Sequence, residues 1–223
     1  MNGQDTENFI ILLYSEKWLD AEDMLDQGLA INAIGHSGRT ALTAMAASMK
    51  HDAMEFLLKH KADPNLNPPG YSAIHWSILQ RDDKGLDLLL EYGTDPNLRK
   101  PRTAETPLLQ AIRHGTDHAV EKLLEKGADP NLRDRDNTPP LLLAAEFQRN
   151  KNGLLGAMIG KGATTQDWTD RERERLFQAC SVADTLINMD KIMQNYAEQK
   201  KRDAVQKKHG GLRRYIKTRK PSP

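Results

Sequence analysis

The sequence predicts an all-α chain: a solenoid of about five helix-pair repeats linked by extended turns, a C-terminal capping helix or helix pair, and a basic tail. Three observations lead there. The word Ala-Asp-Pro-Asn-Leu at 62–66 returns as Thr-Asp-Pro-Asn-Leu at 94–98 and as Ala-Asp-Pro-Asn-Leu at 128–132, its Asp recurring after 32 and then 34 residues. A near-constant period of that size marks a repeat architecture, in which each repeat buries its apolar face on the next. Leucines gather before each word, at Leu57-Leu58, Leu88-Leu89-Leu90 and Leu123-Leu124, and no run alternates apolar and polar residues over a strand's length.

Taken in order, the repeats read as follows. A first pair begins with a helix over about 7–15 that lacks a capping signature, and closes near Gly28 and Asn32. Thr40, Ser72, Thr106 and Thr138 open the next four, each able to accept from the unbonded amides of a first helical turn. Pro107 and Pro139 follow two of them, at the place where a missing amide costs nothing. Each first helix is short and rich in small residues (Ala44, Ala46, Ala47, Ser77, Ala111, Ala144, Ala145), so that neighbours can stack closely. Each second helix carries the leucines and ends near a glycine, at Gly93, Gly127 or Gly162, as a left-handed C-cap favours. Asp-Pro-Asn then starts a turn, and the word reads as punctuation between helix pairs.

These residues resemble the ankyrin repeat, whose pattern runs G-x-T-P-L-H-x-A-A, a turn, a leucine-rich helix, then G-A-D-x-N. Three repeats place the same 23 residues between the capping residue and the Asp, at 40 to 63, 72 to 95 and 106 to 129. The resemblance covers about residues 7–165, within a repeat domain at 1–166. The chain departs from the pattern at Lys61, which stands where glycine is usual and predicts a strained or differently built C-cap. Only His75 keeps the histidine that Thr43, Leu109 and Leu142 replace, and Pro140 and the Gln-Arg-Asn-Lys-Asn-Gly stretch disturb the register of the repeat after Thr138.

The resemblance implies a non-enzymatic protein-recognition scaffold that binds through its turn tips and the concave face of its short helices. The concave pairs are Tyr14/Ser15, Ala47/Ser48, Leu79/Gln80, Arg113/His114 and Glu146/Phe147. The tips hold His36 and Arg39, Pro69 and Tyr71, Arg99, Lys100 and Arg102, then Arg133 and Arg135. From these, Tyr71, Gln80, Arg99, Arg102, Arg113, His114, Arg133, Arg135 and Phe147 are the candidate partner-binding residues. Tyr71 and Phe147 beside arginines match the composition of binding hot spots.

Composition adds a charge split. Hydrophobic residues make up 38% of the 223, charged residues 28% and aromatics only 5%, which predicts a folded chain with a core of Leu, Ala, Ile and Met. Net charge is +1, yet residues 200–223 hold ten Lys/Arg against Asp203 alone, so the tail carries +9 and the remainder −8. The acidic body and basic tail leave two partner classes: a protein partner with an acidic surface for the repeats, and nucleic acid or an anionic membrane for a tail with the repeats as adaptor. Lys207, Lys208, Arg213, Arg214, Lys217, Arg219 and Lys220 are the tail candidates.

Between repeats and tail, residues 167–199 read as an amphipathic cap. Thr169 and Glu172 have capping-box spacing, and Leu176, Phe177, Cys180, Ala183, Leu186, Ile187, Ile192, Met193 and Tyr196 keep helical spacing, with a break possible at Ser181 and Asp184. No catalytic, cofactor or metal constellation emerges. His114 and His118 flank a predicted inter-helix turn, Trp76 fits packing, and Cys180 fits a buried helical face. One cysteine excludes an intrachain disulfide and points to a reducing, cytoplasmic setting. The first apolar run, Phe9 to Tyr14, is too short for a signal or a membrane span, so no transmembrane segment is expected, and the chain is expected to be a monomer. Delivery into another cell stays open.

Overall fold

The computed structural model describes residues 3–114, 116–147 and 153–181. Among these residues there are eleven helices and no strand. Five helix pairs follow one another: α1 (Gly3–Tyr14) with α2 (Trp18–Asp26), α3 (Ala41–Ala47) with α4 (His51–Lys59), α5 (Ala73–Gln80) with α6 (Asp83–Glu91), α7 (Pro107–His114) with α8 (Asp117–Glu125), and α9 (Pro140–Glu146) with α10 (Leu154–Gly160). The chain divides into two compact parts, Met1–Ala163, which holds the pairs, and Thr164–Pro223, whose described portion holds α11 (Asp170–Ser181).

Apart from α1, the paired helices run only seven to nine residues. Isolated helices of that length do not persist in water, where even 12–15 residues are about marginal, so stacking has to supply their stability. The first helices pack in series, α1 on α3, α3 on α5, α5 on α7 and α7 on α9, while the second helices stack as α4, α6, α8 and α10. A first helix therefore has neighbours on most sides. Six consecutive residues are buried in α3, in α7 and in α9, including the alanines that permit close approach. A second helix buries one stripe, such as Gly85, Leu86, Leu89 and Leu90 in α6, and turns its charges outward.

Helix starts follow the capping logic in part. Thr40 Oγ1 accepts from Thr43 N at 3.2 Å, Thr106 Oγ1 accepts from Leu109 N at 3.2 Å, and Pro107 opens α7. Ser72 differs from expectation: its hydroxyl lies 2.7 Å from His75 Nδ1 and caps no amide, because the imidazole competes for it. Thr138 differs too. The N-cap of α9 is Pro139, held extended at ψ 131° because Pro140 follows it, and Thr138 N instead donates to Asp134 Oδ1 at 2.9 Å. Helix α1 begins at Gly3 rather than near residue 7, and its buried Thr6, Phe9, Ile10 and Leu13 keep helical spacing through that start. At the helix ends Gly93 and Gly127 adopt φ of +83° and +91°, and Lys61 takes the same place at +67°, a conformation costing an L-residue roughly 1–2 kcal/mol.

The repeated word is more than punctuation. Its Asp accepts from the backbone two residues on, as Asn97 N to Asp95 Oδ1 at 2.8 Å, which closes the turn. Its Asn then grips the next repeat. Asn65 Oδ1 accepts from Asp95 N at 2.7 Å while its Nδ2 donates to Gly93 O at 3.3 Å, and Asn97 does the same to Asp129 N at 2.8 Å and Gly127 O at 3.3 Å. Asn32 Oδ1 likewise accepts from Asp63 N at 2.9 Å, and Asn131 Nδ2 donates to the Gly162 carbonyl at 3.0 Å. Asn97→Ala should therefore cost about 1–2 kcal/mol by urea unfolding, since the released groups are exposed and regain water. Asn97→Asp should cost nearly as much, because a carboxylate cannot donate to the Gly127 carbonyl.

In the second compact part, Thr169 and Glu172 form the expected reciprocal box: Glu172 N donates to Thr169 Oγ1 at 3.2 Å and Thr169 N to Glu172 Oε2 at 2.7 Å. Leu176 and Cys180, four residues apart, are buried, and burial pushes the Cys180 thiol up. Phe177 leaves the expected stripe, being 46% exposed, since one residue rotates the side chain about 100° from Leu176. The remaining capping positions from Ala183 onward and the whole tail at 200–223 lie outside the described residues.

Candidate functional site

The turns after α6 and α8 carry the arginines that the sequence singles out. They are tied to each other. Arg99 Nη1 donates to the Arg133 carbonyl at 3.0 Å, Arg135 Nη2 to the Pro101 carbonyl at 3.0 Å, and Arg135 N to the Thr103 carbonyl at 2.8 Å. Arg133 Nη1 also reaches the Asn137 carbonyl, at 3.2 Å. A guanidinium has five donors, so these bonds fix Arg99 and Arg135 without exhausting them, and both remain exposed, as does Arg102.

Beneath these turns runs a charge chain. Lys100 Nζ meets Glu105 Oε2 at 2.6 Å, Glu105 Oε1 lies 3.0 Å from Arg113 Nε, and Arg113 Nη2 meets Asp134 Oδ2 at 2.8 Å. Lys100 is only 8% exposed, so it is not the solvent-facing tip residue expected from the sequence. Burial pulls its ammonium below the ordinary value and Glu105 resists. Arg113, read as a concave contact, is equally a strut between α7 and the following turn. Glu105 and Asp134 neutralise these two inner cations, which leaves Arg99, Arg102, Arg133 and Arg135 as the outer charge, opposed locally by Asp136.

A third arrangement joins three repeats. The rings of Tyr71 and Trp76 lie 5.2 Å apart at 47°, the Arg39 guanidinium carbon lies 5.1 Å from the Trp76 centroid, and Lys100 Nζ lies 4.2 Å from the Tyr71 centroid. Both rings are half-buried. Trp76 does pack, as expected, but one partner is an exposed cation.

The C-terminal turns of the first helices are laced together in the same manner. Tyr14 Oη lies 2.6 Å from Ser48 Oγ, Gln80 Nε2 donates to the Ala47 carbonyl at 2.7 Å, and Arg81 Nη2 donates to the His114 carbonyl at 2.8 Å. Gln80 is exposed but partly committed to the scaffold, His114 is half-buried, and Phe147 is exposed at the end of α9. Sequence reasoning passed over Arg81, whose left-handed φ of +56° depends on a turn that residue identity does not reveal. His114 closes α7 while His118 belongs to α8 and lies 3.7 Å from Asp87. Among the described residues no group of three or more His, Cys, Asp or Glu could hold a metal, and no helix is long and apolar enough to cross a membrane.

Residues 3–100 match the family model for ankyrin repeats in three copies, and residues 105–135 match that for a single ankyrin repeat, together more than half of the chain. The chain belongs to the ankyrin repeat family. The ankyrin pair α9–α10 lies beyond both matches, and its place in the stack rests on its packing against α7 and α8. The chain is also similar to Protein PhlB of Serratia liquefaciens, 32% identical over 145 residues, which cover 61% of this chain and 64% of that protein. It thus spans just under two thirds of that relative's length. Ankyrin repeats are general protein–protein interaction modules, and that class of function is the one this chain's fold carries.

Proposed function

We propose that this chain is a non-enzymatic, monomeric protein-binding module that holds an acidic segment of a protein partner along its turn tips and first-helix face, in a reducing compartment such as the cytoplasm. The observation that carries this reading is the bonding between the Arg99 and Arg135 turns. Cations already fixed by backbone carbonyls lose little further freedom on binding, so more of the interaction appears as affinity. Tyr71, Gln80, Arg113, His114 and Phe147 would supply the remaining contacts. The composition of 200–223 supports a second reading, in which the tail grips nucleic acid or anionic lipid through charge.

Full-length protein, protein lacking 200–223, and an Arg99→Glu/Arg135→Glu variant should be compared as baits at moderate salt. The captured protein should then be followed kinetically. The double variant is expected to keep its circular dichroism and to associate about tenfold more slowly at low salt, because exposed charges act mainly through steering. Unchanged association would place the partner on another face. Capture of nucleic acid or anionic vesicles that disappears with the tail, with a log–log salt slope of about −4 to −5 on duplex DNA, would favour the second reading.

A further inference from the structure

Arg39 is a cation of this body whose placement the repeat scaffold does not explain. It is exposed, and its guanidinium lies over Trp76 rather than against a carboxylate. Its neighbours in the same stack are matched: Lys100 has Glu105 and, through the charge chain, Arg113 has Asp134. Among the described residues the Arg39 side chain meets no acid, on a body whose count outside the tail is −8. Its backbone is also held, since Gly35 N donates to the Arg39 carbonyl at 2.9 Å and Gly38 N to the Gly35 carbonyl at 3.0 Å. A guanidinium whose carbon sits over an aromatic ring spends none of its five N–H donors on a hydrogen bond there, and a fork of two can meet a carboxylate in bidentate fashion.

We propose that Arg39, seated over Trp76, is a carboxylate anchor that sets the register of the partner's acidic segment; this rests on the protein-binding reading above. The second anchor is the arginine turn at Arg99 and Arg102. Helix α3, which follows the Arg39 turn, packs on α5, and α5 packs on α7, which follows the Arg99 turn. Packed helices sit about 8–10 Å apart, so two steps span about 16–20 Å. An extended chain rises about 3.3 Å per residue and covers that distance in about five or six residues. Between the anchors lie the half-buried rings of Trp76 and Tyr71, which suit an apolar side chain. The partner segment is therefore an extended peptide with two acidic residues five or six positions apart and an apolar residue between them.

Fluorescein-labelled dodecapeptides on a Ser/Gly background test this by anisotropy against the full chain at low salt. One set carries two Glu at separations of three, five, six and nine with a central Leu, and a control replaces Glu by Gln. The wild type should prefer separations of five and six. Arg39→Gln should weaken those peptides about tenfold or more and abolish the preference. Arg39→Lys should recover only part of the affinity, since an ammonium offers no planar fork. If Arg39→Gln binds as the wild type does while Arg99→Glu/Arg135→Glu loses binding, the anchor is wrong and the protein-binding reading survives. If no peptide binds the wild type, or the double variant binds as tightly, both fall.

Discussion

Leu89→Ala should destabilise the repeat body by about 2–5 kcal/mol, read from the urea midpoint. Leu89 has no exposed surface and sits at the centre of α6, which packs on α5 within its pair and on α4 and α8 in the outer stack. Truncation leaves a void that these helices cannot easily close, because each is only eight or nine residues long and fixed at both ends by turns. In a stack whose stability is a sum of repeat and interface contributions, a defect in the middle repeat also weakens the coupling between the two sides. The urea transition should then broaden as well as shift. Leu88, one residue away and half-buried, is the internal control and should cost about 1 kcal/mol or less on the same replacement. A Leu88→Ala effect equal to or larger than that of Leu89→Ala would show that the buried face of α6 is the other one.

The difference between these two leucines was partly legible in the sequence. The recurring word, the capping residues and the leucine runs fix the number of helix pairs, because each is a local signal repeated at one spacing. Where an assignment depends on partners thirty residues away, the sequence is mute. Asn65 and Asn97 look like turn residues, and only the stack shows that their amides hold the following repeat. Pro139 illustrates a local conflict: proline is welcome in a first helical turn, but a second proline after it keeps Pro139 extended and delays α9 by one residue.

The candidate face divides in the same way. That arginines crowd the turns after α6 and α8 follows from residue identity and repeat position. That Arg99 and Arg135 are bonded across to each other's turns does not, since the acceptors are carbonyls and every residue has one. Lys100 shows the opposite failure: a lysine in a basic tip reads as solvated, yet Glu105 lies close enough in the folded turn to draw it inward. Arg39 was visible as a tip residue, while its seat on Trp76 required two repeats to be placed side by side.

His75 should make the body acid-sensitive. The residue is fully buried in α5, its Nδ1 is 2.7 Å from Ser72 Oγ, and its Nε2 has no well-formed hydrogen bond. Burial first, and the nearby Lys100 charge second, push its pKa down to about 3, with the Glu105 backbone opposing only weakly. An unfolded histidine titrates near 6.5. Below that pH the unfolded chain takes up a proton that the folded chain refuses, so stability is fully present above about 6.5 and declines as pH falls toward 3. From pH 7 to pH 5 the loss is about 2 kcal/mol, and it levels off at about 4–5 kcal/mol near pH 3. His51, His60 and His118 each lie within 4 Å of a carboxylate, and these pairs are common to wild type and variant. The informative quantity is thus the difference in slope between wild type and His75→Gln. The variant should start less stable at pH 7, because a fitted buried ring is lost, yet fall less steeply toward pH 5. Parallel urea titrations at the two pH values decide it, and equal slopes would mean that His75 accepts a proton in the folded state as readily as in the unfolded one.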